Sequence, residues 1–398
     1  MKPTPFEKRI KRRVTARKQT FFASTSPGLK QILAAEFGKL PLETEHFTIA
    51  EGGVVFSGSM KTCYLANLYL GTASRITMEI GQFKAENFRT LEKKLAQIQW
   101  ELFIKKKSHV HVEAVTRHSR LYHTKAIEER TLQIIQDYFN QDHLDTGLPD
   151  AAGTPGNYRI LIRVRDDQFS ISLDTSGELL HKRGITSSVG VAPLRSTLAR
   201  SVLVRSGFTG KEPLIDPMCG SGNFALEGAM MASKIPPGFY RSFAFEHFPC
   251  FSNPQWNHLK KTAQKNFLKI DQPLIFAFDR ADKLIDDLEQ TVADHGFSEF
   301  VRVGRQDFFD ILPGNLTGRT GVVVLNPPYG KRLGEKGETA QLYRRIGEKL
   351  TRDFKGWTAG IILPEPELAG ELPFHVELHP LFHGGLEIHV ATGKITVS

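Results

Sequence analysis

The stretch Pro213-Leu214-Ile215-Asp216-Pro217-Met218-Cys219-Gly220-Ser221-Gly222-Asn223-Phe224 decides how this chain is read. Leu214 and Ile215 form a short apolar run that predicts a buried strand. Ala225-Leu226-Glu227-Gly228-Ala229-Met230-Met231-Ala232, just beyond, predicts a helix. An acid at the strand end and two glycines in the turn allow the backbone to lie close to a ligand, because no Cβ intervenes. The unpaired N–H groups of the helix start then face that ligand. Such a cradle belongs at the carboxyl edge of an open α/β sheet, where these folds bind nucleotides and nucleosides. No Lys-Ser or Lys-Thr follows the glycines, so a phosphate loop of the Walker kind is excluded. Gly220-Ser-Gly-Asn-Phe-Ala225 also satisfies the dinucleotide fingerprint. That fingerprint wants an acid about 20 residues on, whereas the next strand-end acid, Asp279 in Ile275-Phe-Ala-Phe-Asp279-Arg280, lies much further along.

A second stretch, Gly321-Val-Val-Val-Leu325-Asn326-Pro327-Pro328-Tyr329-Gly330, separates these readings. The apolar run predicts a central strand, and two prolines end it because neither can donate to a ladder. Asn326 then points at whatever the sheet binds. An exocyclic amine on a nucleobase is a poor nucleophile, since its lone pair is delocalised into the ring. The Asn326 side-chain oxygen and the Pro327 carbonyl can accept hydrogen bonds from that amine and hold its lone pair toward an electrophilic methyl, while Tyr329 stacks on the base. No strong base is needed, so positioning in a dry site carries most of the barrier reduction. Asn326, Pro327, Pro328 and Tyr329 are therefore the candidate catalytic group.

With Asp216-Pro-Met-Cys-Gly-Ser-Gly222 and Asn326-Pro-Pro-Tyr-Gly330 both present, the chain resembles the class I S-adenosylmethionine-dependent methyltransferases. Arg332-Leu333 and two upstream runs, Ser119-Arg-Leu-Tyr-His-Thr-Lys125 and Asp174-Thr-Ser-Gly-Glu-Leu-Leu-His-Lys-Arg-Gly184, narrow it. It is similar to the THUMP-containing RNA guanine-N2 methyltransferases related to the bacterial large-subunit rRNA enzyme. The resemblance implies an α/β chain in four parts: a basic tail (1–20), a ferredoxin-like domain (21–85), a THUMP RNA-binding domain (86–178) and a Rossmann-like methyltransferase domain (179–398). It implies S-adenosylmethionine as cofactor, held by Asp216, Met218, Gly220, Gly222, Asn223, Asp279, Arg280, Asp307 and Phe308. Asp279 would take the ribose hydroxyls, Asp307 the adenine amino group, and Phe308 the ring face. It also implies structured RNA as partner, rRNA first and tRNA as the nearer competitor. Arg117, Arg120, Lys125, Lys182, Arg183, Lys331 and Arg332 are expected to contact it. Some members carry a second, fused methyltransferase domain; the chain ends at Ser398 soon after one sheet is complete, so a single modification is expected of it.

Composition agrees. At 398 residues two or three domains are expected, and a net charge of +9 favours a polyanionic partner. No apolar run approaches the ~20 residues of a membrane-spanning helix, and no signal-peptide apolar region is present. Cys63, Cys219 and Cys250 are too few and too scattered for a disulfide framework or zinc site. A reducing, cytoplasmic setting without metal or membrane is expected.

Along the chain, residues 1–20 hold many Lys and Arg against Glu7 and predict a basic tail without structure of its own, a hook for RNA. Phe21 to Ala23 and Gly52 to Phe56 predict strands, and Met60 to Tyr69 a helix. Phe88 to Trp100 and Ala126 to Phe139 predict helices, and Val110 to Val115 a strand. Arg159 to Val164 and Phe169 to Leu173 alternate with period two about Asp166-Asp167, a hairpin signal. The aromatics between Pro236 and Pro273 predict core packing in preference to a base-stacking wall. Gly330 to Gly337 reads as a loop closing over the base. Leu342 to Phe354 predicts a helix, Thr358 to Leu363 a strand, and His375 to His379 with Leu386 to Thr396 an antiparallel pair, which completes seven strands.

Other classes remain to be weighed. The Asn-Pro-Pro-Tyr elbow also serves DNA adenine-N6 and protein glutamine-N5 methyltransferases, but those lack the upstream runs. A non-catalytic RNA-binding assembly factor would not need Asp216, Gly220, Gly222 and Asn326 intact. A NAD-dependent oxidoreductase comes last.

Overall fold

A computed structural model describes residues 3–40, 46–140, 157–185, 194–328 and 336–396. The chain divides into two compact units. One comprises residues 1–25, 33–180 and 241–261, and the other 26–32, 181–240 and 262–398.

The first unit is built on a seven-stranded sheet. Its strands are β1 (Gln19–Thr25), β2 (Phe47–Ala50), β3 (Gly53–Gly58), β4 (Ala73–Lys84), β5 (His109–Arg117), β6 (Asn157–Arg165) and β7 (Gln168–Asp174). They lie in the order β2-β3-β1-β4-β7-β6-β5, antiparallel throughout except for β5 beside β6. The stretches 21–85 and 86–178 thus share one sheet, joined where β4 pairs with β7. The β6–β7 turn is Asp166-Asp167, both at positive φ (52° and 62°), the backbone that a tight hairpin turn requires. β2 and β4 were not legible: β2 is short, and the alternation of β4 breaks at the irregularity between Glu79 and Gly81.

The N-terminal segment departs from expectation. Instead of an unstructured tail it forms α1 (Pro5–Ile10), continued by a π-turned segment, Lys11–Thr15. Thr4 and Glu7 make a reciprocal capping box with Pro5 in the first turn, which satisfies the amides a helix start leaves open. Ile10 and Val14 are buried, and Arg9 pairs with Glu101. The apolar spacing and the cap outweigh the charge. Further helices are α2 (Lys30–Phe37), α3 (Met60–Tyr69), α4 (Phe88–Leu95) and α5 (Thr124–Phe139). The predicted helix over 88–100 stops at Leu95, and Trp100 begins a separate 3-10 turn. Phe243, Phe245, Phe248 and Trp256 are buried in this unit. Phe245 meets Tyr64 at 4.6 Å between centroids and Trp256 edge-on at 5.2 Å, so these aromatics are core.

The second unit has its own seven-stranded sheet: β8 (Leu214–Asp216), β9 (Ile275–Asp279), β10 (Val301–Arg305), β11 (Val322–Leu325), β12 (Thr358–Leu363), β13 (Glu377–His383) and β14 (Leu386–Lys394). The order is β10-β9-β8-β11-β12-β14-β13. The first five run parallel and β14 is antiparallel to both its neighbours. The buried runs of β8, β9, β11 and β12 have an apolar cluster on each face, the pattern of a doubly covered sheet. Its helices are α6 (Ser196–Arg205), α7 (Asn223–Ala232), α9 (Asp282–Asp294) and α10 (Lys336–Asp353), while most of α8 (Asn253–Gln264) belongs to the first unit. From β8 the chain goes to β9 on one side and later to β11 on the other. The strand order therefore reverses between β8 and β11, which places a ligand crevice at their carboxyl ends.

Candidate active site

At the carboxyl end of β8, Asp216 is fully buried and neither carboxyl oxygen has a hydrogen-bond partner among the described residues. Burial, and then the charge of Asp279, raises its pKa well above the usual carboxylate range. The loop that follows is tied to β9, with Cys219 N–H donating to the Phe278 carbonyl at 2.9 Å. Its two glycines do different work. Gly220, at φ +52°, has open space where a Cβ would project, and it lines the cavity. Gly222, at φ +75°, caps α7, and a Cβ there would meet Leu288 Cδ1 of α9 at 2.3 Å. The first glycine faces the ligand space; the second seats one helix on another.

Asp279 ends β9 with its carboxylate turned back to the loop. Oδ2 accepts from Gly220 N–H at 2.9 Å and Oδ1 from Ala281 N–H at 3.1 Å. Beyond β10, Asp307 caps a 3-10 turn by accepting from Phe309 N–H at 2.9 Å, and Arg280 lies 3.5 Å from its other oxygen. Beyond β11, the Asn326 side-chain oxygen is buried without a partner among the described residues, an arrangement that costs about 1–3 kcal/mol unless a further group, such as a ligand, supplies the donor.

These elements surround a cavity of about 900 Å³, of a size that takes a nucleoside-scale ligand. Of the predicted residues, Met218, Gly220, Asp279, Arg280, Asp307, Phe308, Asn326, Pro327 and Pro328 line it together. Asp216 sits behind the wall, next to Pro217, which does line it. Gly222 and Asn223 do not: the first packs on Leu288, and the second bonds Ser221 and Ser196 through its side chain. Tyr329, Lys331, Arg332 and most of the Gly330–Gly337 loop lie outside the described residues. Sequence reasoning missed Gln341 and Arg345 on α10, and His383 and Leu386 at the β13–β14 turn, all lining. The turn was signalled by Gly384-Gly385, both at positive φ; nothing local marked the α10 pair.

The donor set fits a sulfonium nucleoside. Asp279 offers a carboxylate at a strand end, Phe308 and Phe309 offer ring surface, and Asp216 is an orphaned buried carboxyl that a nearby positive charge would complete.

The residues expected to meet RNA are less uniform. Arg117 pairs with Glu51 at 2.9 Å, and Arg120 with Glu86 and, at 3.9 Å, Asp167. Lys125 and Lys182 are exposed. Arg183 is a correction: its side chain is buried, with Nε donating to Glu227 at 2.6 Å, and Arg200 lies 3.4 Å from the same carboxylate. A guanidinium so enclosed does not reach a phosphate.

Comparison with known proteins bears on the same regions. A family described as the RMKL-like methyltransferase domain matches residues 183–370, and the RlmL ferredoxin-like domain matches residues 20–77. The putative RNA methyltransferase YpsC of Bacillus subtilis (strain 168) is 32% identical over 335 residues, 83% of this chain and 84% of that protein. The ribosomal RNA large subunit methyltransferase K/L of Syntrophotalea carbinolica is 31% identical over 382 residues, 92% of this chain and 52% of that one. The chain thus spans about half the length of the K/L relatives it matches. Among solved structures, SMU.472, a putative methyltransferase complexed with SAH, superposes with a TM-score of 0.82 at 25% identity, covering 96% of this chain and 99% of that one.

Proposed function

The chain belongs to the RMKL-like RNA methyltransferase family, and from that premise we propose that it methylates the exocyclic N2 amine of a guanine, in large-subunit ribosomal RNA, with S-adenosylmethionine as donor. The observation that carries the reading is the Asn326 side-chain oxygen, buried on the wall of the cavity with no partner among the described residues. An acceptor in that state calls for an N–H donor, and an exocyclic amine is one.

When bound, the donor supplies an electrophilic methyl group on a positively charged sulfur. Asp279 holds the donor's ribose hydroxyls, and Asp307 with Phe308 holds the adenine. The target guanine leaves its stack to reach the elbow. Asn326 Oδ1 and the Pro327 carbonyl accept the two N–H bonds of the amine and orient its lone pair. The N–C bond forms as the S–C bond breaks, and the surplus proton on nitrogen passes to water. Pro327 and Pro328 give the elbow its rigidity, and that positioning is the chain's main contribution.

Unmodified rRNA and tRNA, each incubated with protein and S-adenosylmethionine and then digested for nucleoside mass spectrometry, test this. N2-methylguanosine formed only in rRNA is expected. Asn326→Ala should reduce transfer about a hundredfold or more, with donor affinity in calorimetry little changed. Product only in tRNA would replace the substrate and keep the chemistry; N6-methyladenosine would overturn the base assignment. Wild-type turnover in the Asn326 variant would sink the role given to that side chain.

A further inference from the structure

The first unit contains a second cavity that none of this chemistry uses. A groove of about 510 Å³ runs between the N-terminal segment, β4 and the residues after α4. Arg13 and Arg17 line one side, and Lys94, at the last turn of α4, lines another. Gln82, Gln97 and Gln99 lie between them, all exposed. We propose that this groove is a docking site for the backbone of an RNA strand, with phosphates on Arg13, Arg17 and Lys94 and the carboxamides on sugar hydroxyls and base edges. The proposal rests on the reading of the chain as an RNA methyltransferase and adds the surface that grips the substrate.

Three observations support it. First, the cations are uncommitted. Arg13, Arg17 and Lys94 have no ion-pair partner among the described residues, whereas Arg117 and Arg120 are each held by carboxylates. The single acid lining the groove, Glu79, accepts from the Ser170 hydroxyl at 2.8 Å. Second, the wall is fixed. Val14 is fully buried, Ala16 N–H closes a wide turn onto the Lys11 carbonyl at 2.8 Å, and Gln19 Nε2 donates to the Val14 carbonyl at 2.9 Å. Arg13 and Arg17 therefore stand on a built segment, which lowers the ordering entropy that binding would otherwise cost. Third, the lining suits a nucleic acid better than a membrane. Carboxamides can bond 2′-hydroxyls and base edges; the apolar lining residues Ile80, Phe83, Ile98, Leu102 and Phe103 are buried or only half-exposed, whereas a membrane surface site wants large apolar side chains free to insert.

Fluorescence anisotropy with a fluorescein-labelled RNA hairpin carrying a single-stranded tail tests the groove without requiring turnover. Arg13→Ala/Arg17→Ala/Lys94→Ala should lose at least about tenfold in affinity, and the salt dependence of log K should become shallower by about 2, as three lost single-strand phosphate contacts imply. Arg117→Ala/Arg120→Ala should cost less. Arg13→Lys/Arg17→Lys should keep the wild-type salt slope, which separates charge from folding, and unchanged binding of S-adenosylhomocysteine checks that the triple variant is folded. A folded triple variant with wild-type affinity and slope overturns the groove, as does a wild-type chain that binds phosphatidylserine vesicles through these residues and not the hairpin. A chain that binds RNA through the groove yet methylates none overturns the functional reading alone.

Discussion

Asp216 is held where water cannot solvate it, and its state should be visible as a pH dependence of stability. Its folded-state pKa is raised by burial and by Asp279, so the native chain keeps a proton that the unfolded chain, with an ordinary carboxyl near ~3.9, has released. The native state then binds more protons, and this contribution to stability is present below the unfolded pKa and lost as pH rises from about 4 toward the raised value. Asp216→Asn removes that component, so the variant should gain on the wild type in urea unfolding as pH rises above the ordinary carboxyl pKa of ~3.9; a gap that stays constant with pH would refute the assignment. The two glycines separate just as cleanly. Gly222→Ala should destabilise by more than the ~1–2 kcal/mol of a left-handed backbone, because its Cβ overlaps Leu288, and Leu288→Ala should return part of the loss. Gly220→Ala meets nothing within 4 Å; it should cost only the backbone term and act instead on donor affinity, measured by calorimetry. From the sequence both glycines read alike, as a close approach to ligand. The placement of Asp216 and Asn326 at the carboxyl ends of β8 and β11 was legible because an apolar run and a proline stop mark those strand ends; the Leu288 contact was not, because it joins positions far apart in the chain.

At the scale of elements, local signals were read well where the chemistry was local. Asp166-Asp167 turned the β6–β7 hairpin as its composition demanded, and the helix predicted over Met60–Tyr69 has those bounds. The N-terminal helix was missed although Thr4, Pro5 and Glu7 spell its cap, since the charge run drew the reading toward a tail. The Arg183 error is of another kind. Whether that side chain faces solvent depends on which face of α7 carries Glu227, and no local pattern gives it. Arg183 and Glu227 are both almost fully enclosed, with side chains 2% and 1% exposed. Removing one charge leaves the other buried, which typically costs 3–5 kcal/mol. Arg183→Ala should therefore lower unfolding stability by about that amount, less whatever the more distant Arg200 recovers, and leave the RNA affinity of the folded protein unchanged. A variant that unfolds like the wild type but binds RNA more weakly would restore the exposed-cation reading.

Across the whole molecule, the boundary suggested near residue 179 separates sequences more cleanly than it separates cores. Residues 26–32 belong to the second unit and residues 241–261 to the first. Leu29 is fully buried in the second unit's core, where it clusters with Leu381, and Arg205 donates to the Gly28 carbonyl at 2.8 Å. In the first unit, Tyr64 is enclosed by Phe245, Phe251 and Trp256. A fragment spanning 181–398 would keep the cavity and both sequence motifs but lack the Leu29 segment, and it would carry Phe245, Phe251 and Trp256 without the Tyr64 ring they pack on. Losing one large buried side chain from a core typically costs 2–5 kcal/mol, a sizeable share of the 5–15 kcal/mol that holds a protein folded. Exposed aromatics add a tendency to associate. The fragment should therefore unfold at lower urea concentration than the intact chain and bind S-adenosylhomocysteine more weakly. Phe245→Ser/Trp256→Ser should improve its solubility without restoring that affinity. Both are read by urea titration and calorimetry on fragment and full chain side by side. A fragment that unfolds cooperatively at the intact chain's midpoint, with the same affinity, would mean that the two exchanged segments are dispensable and that the boundary read from sequence is also the boundary of folding.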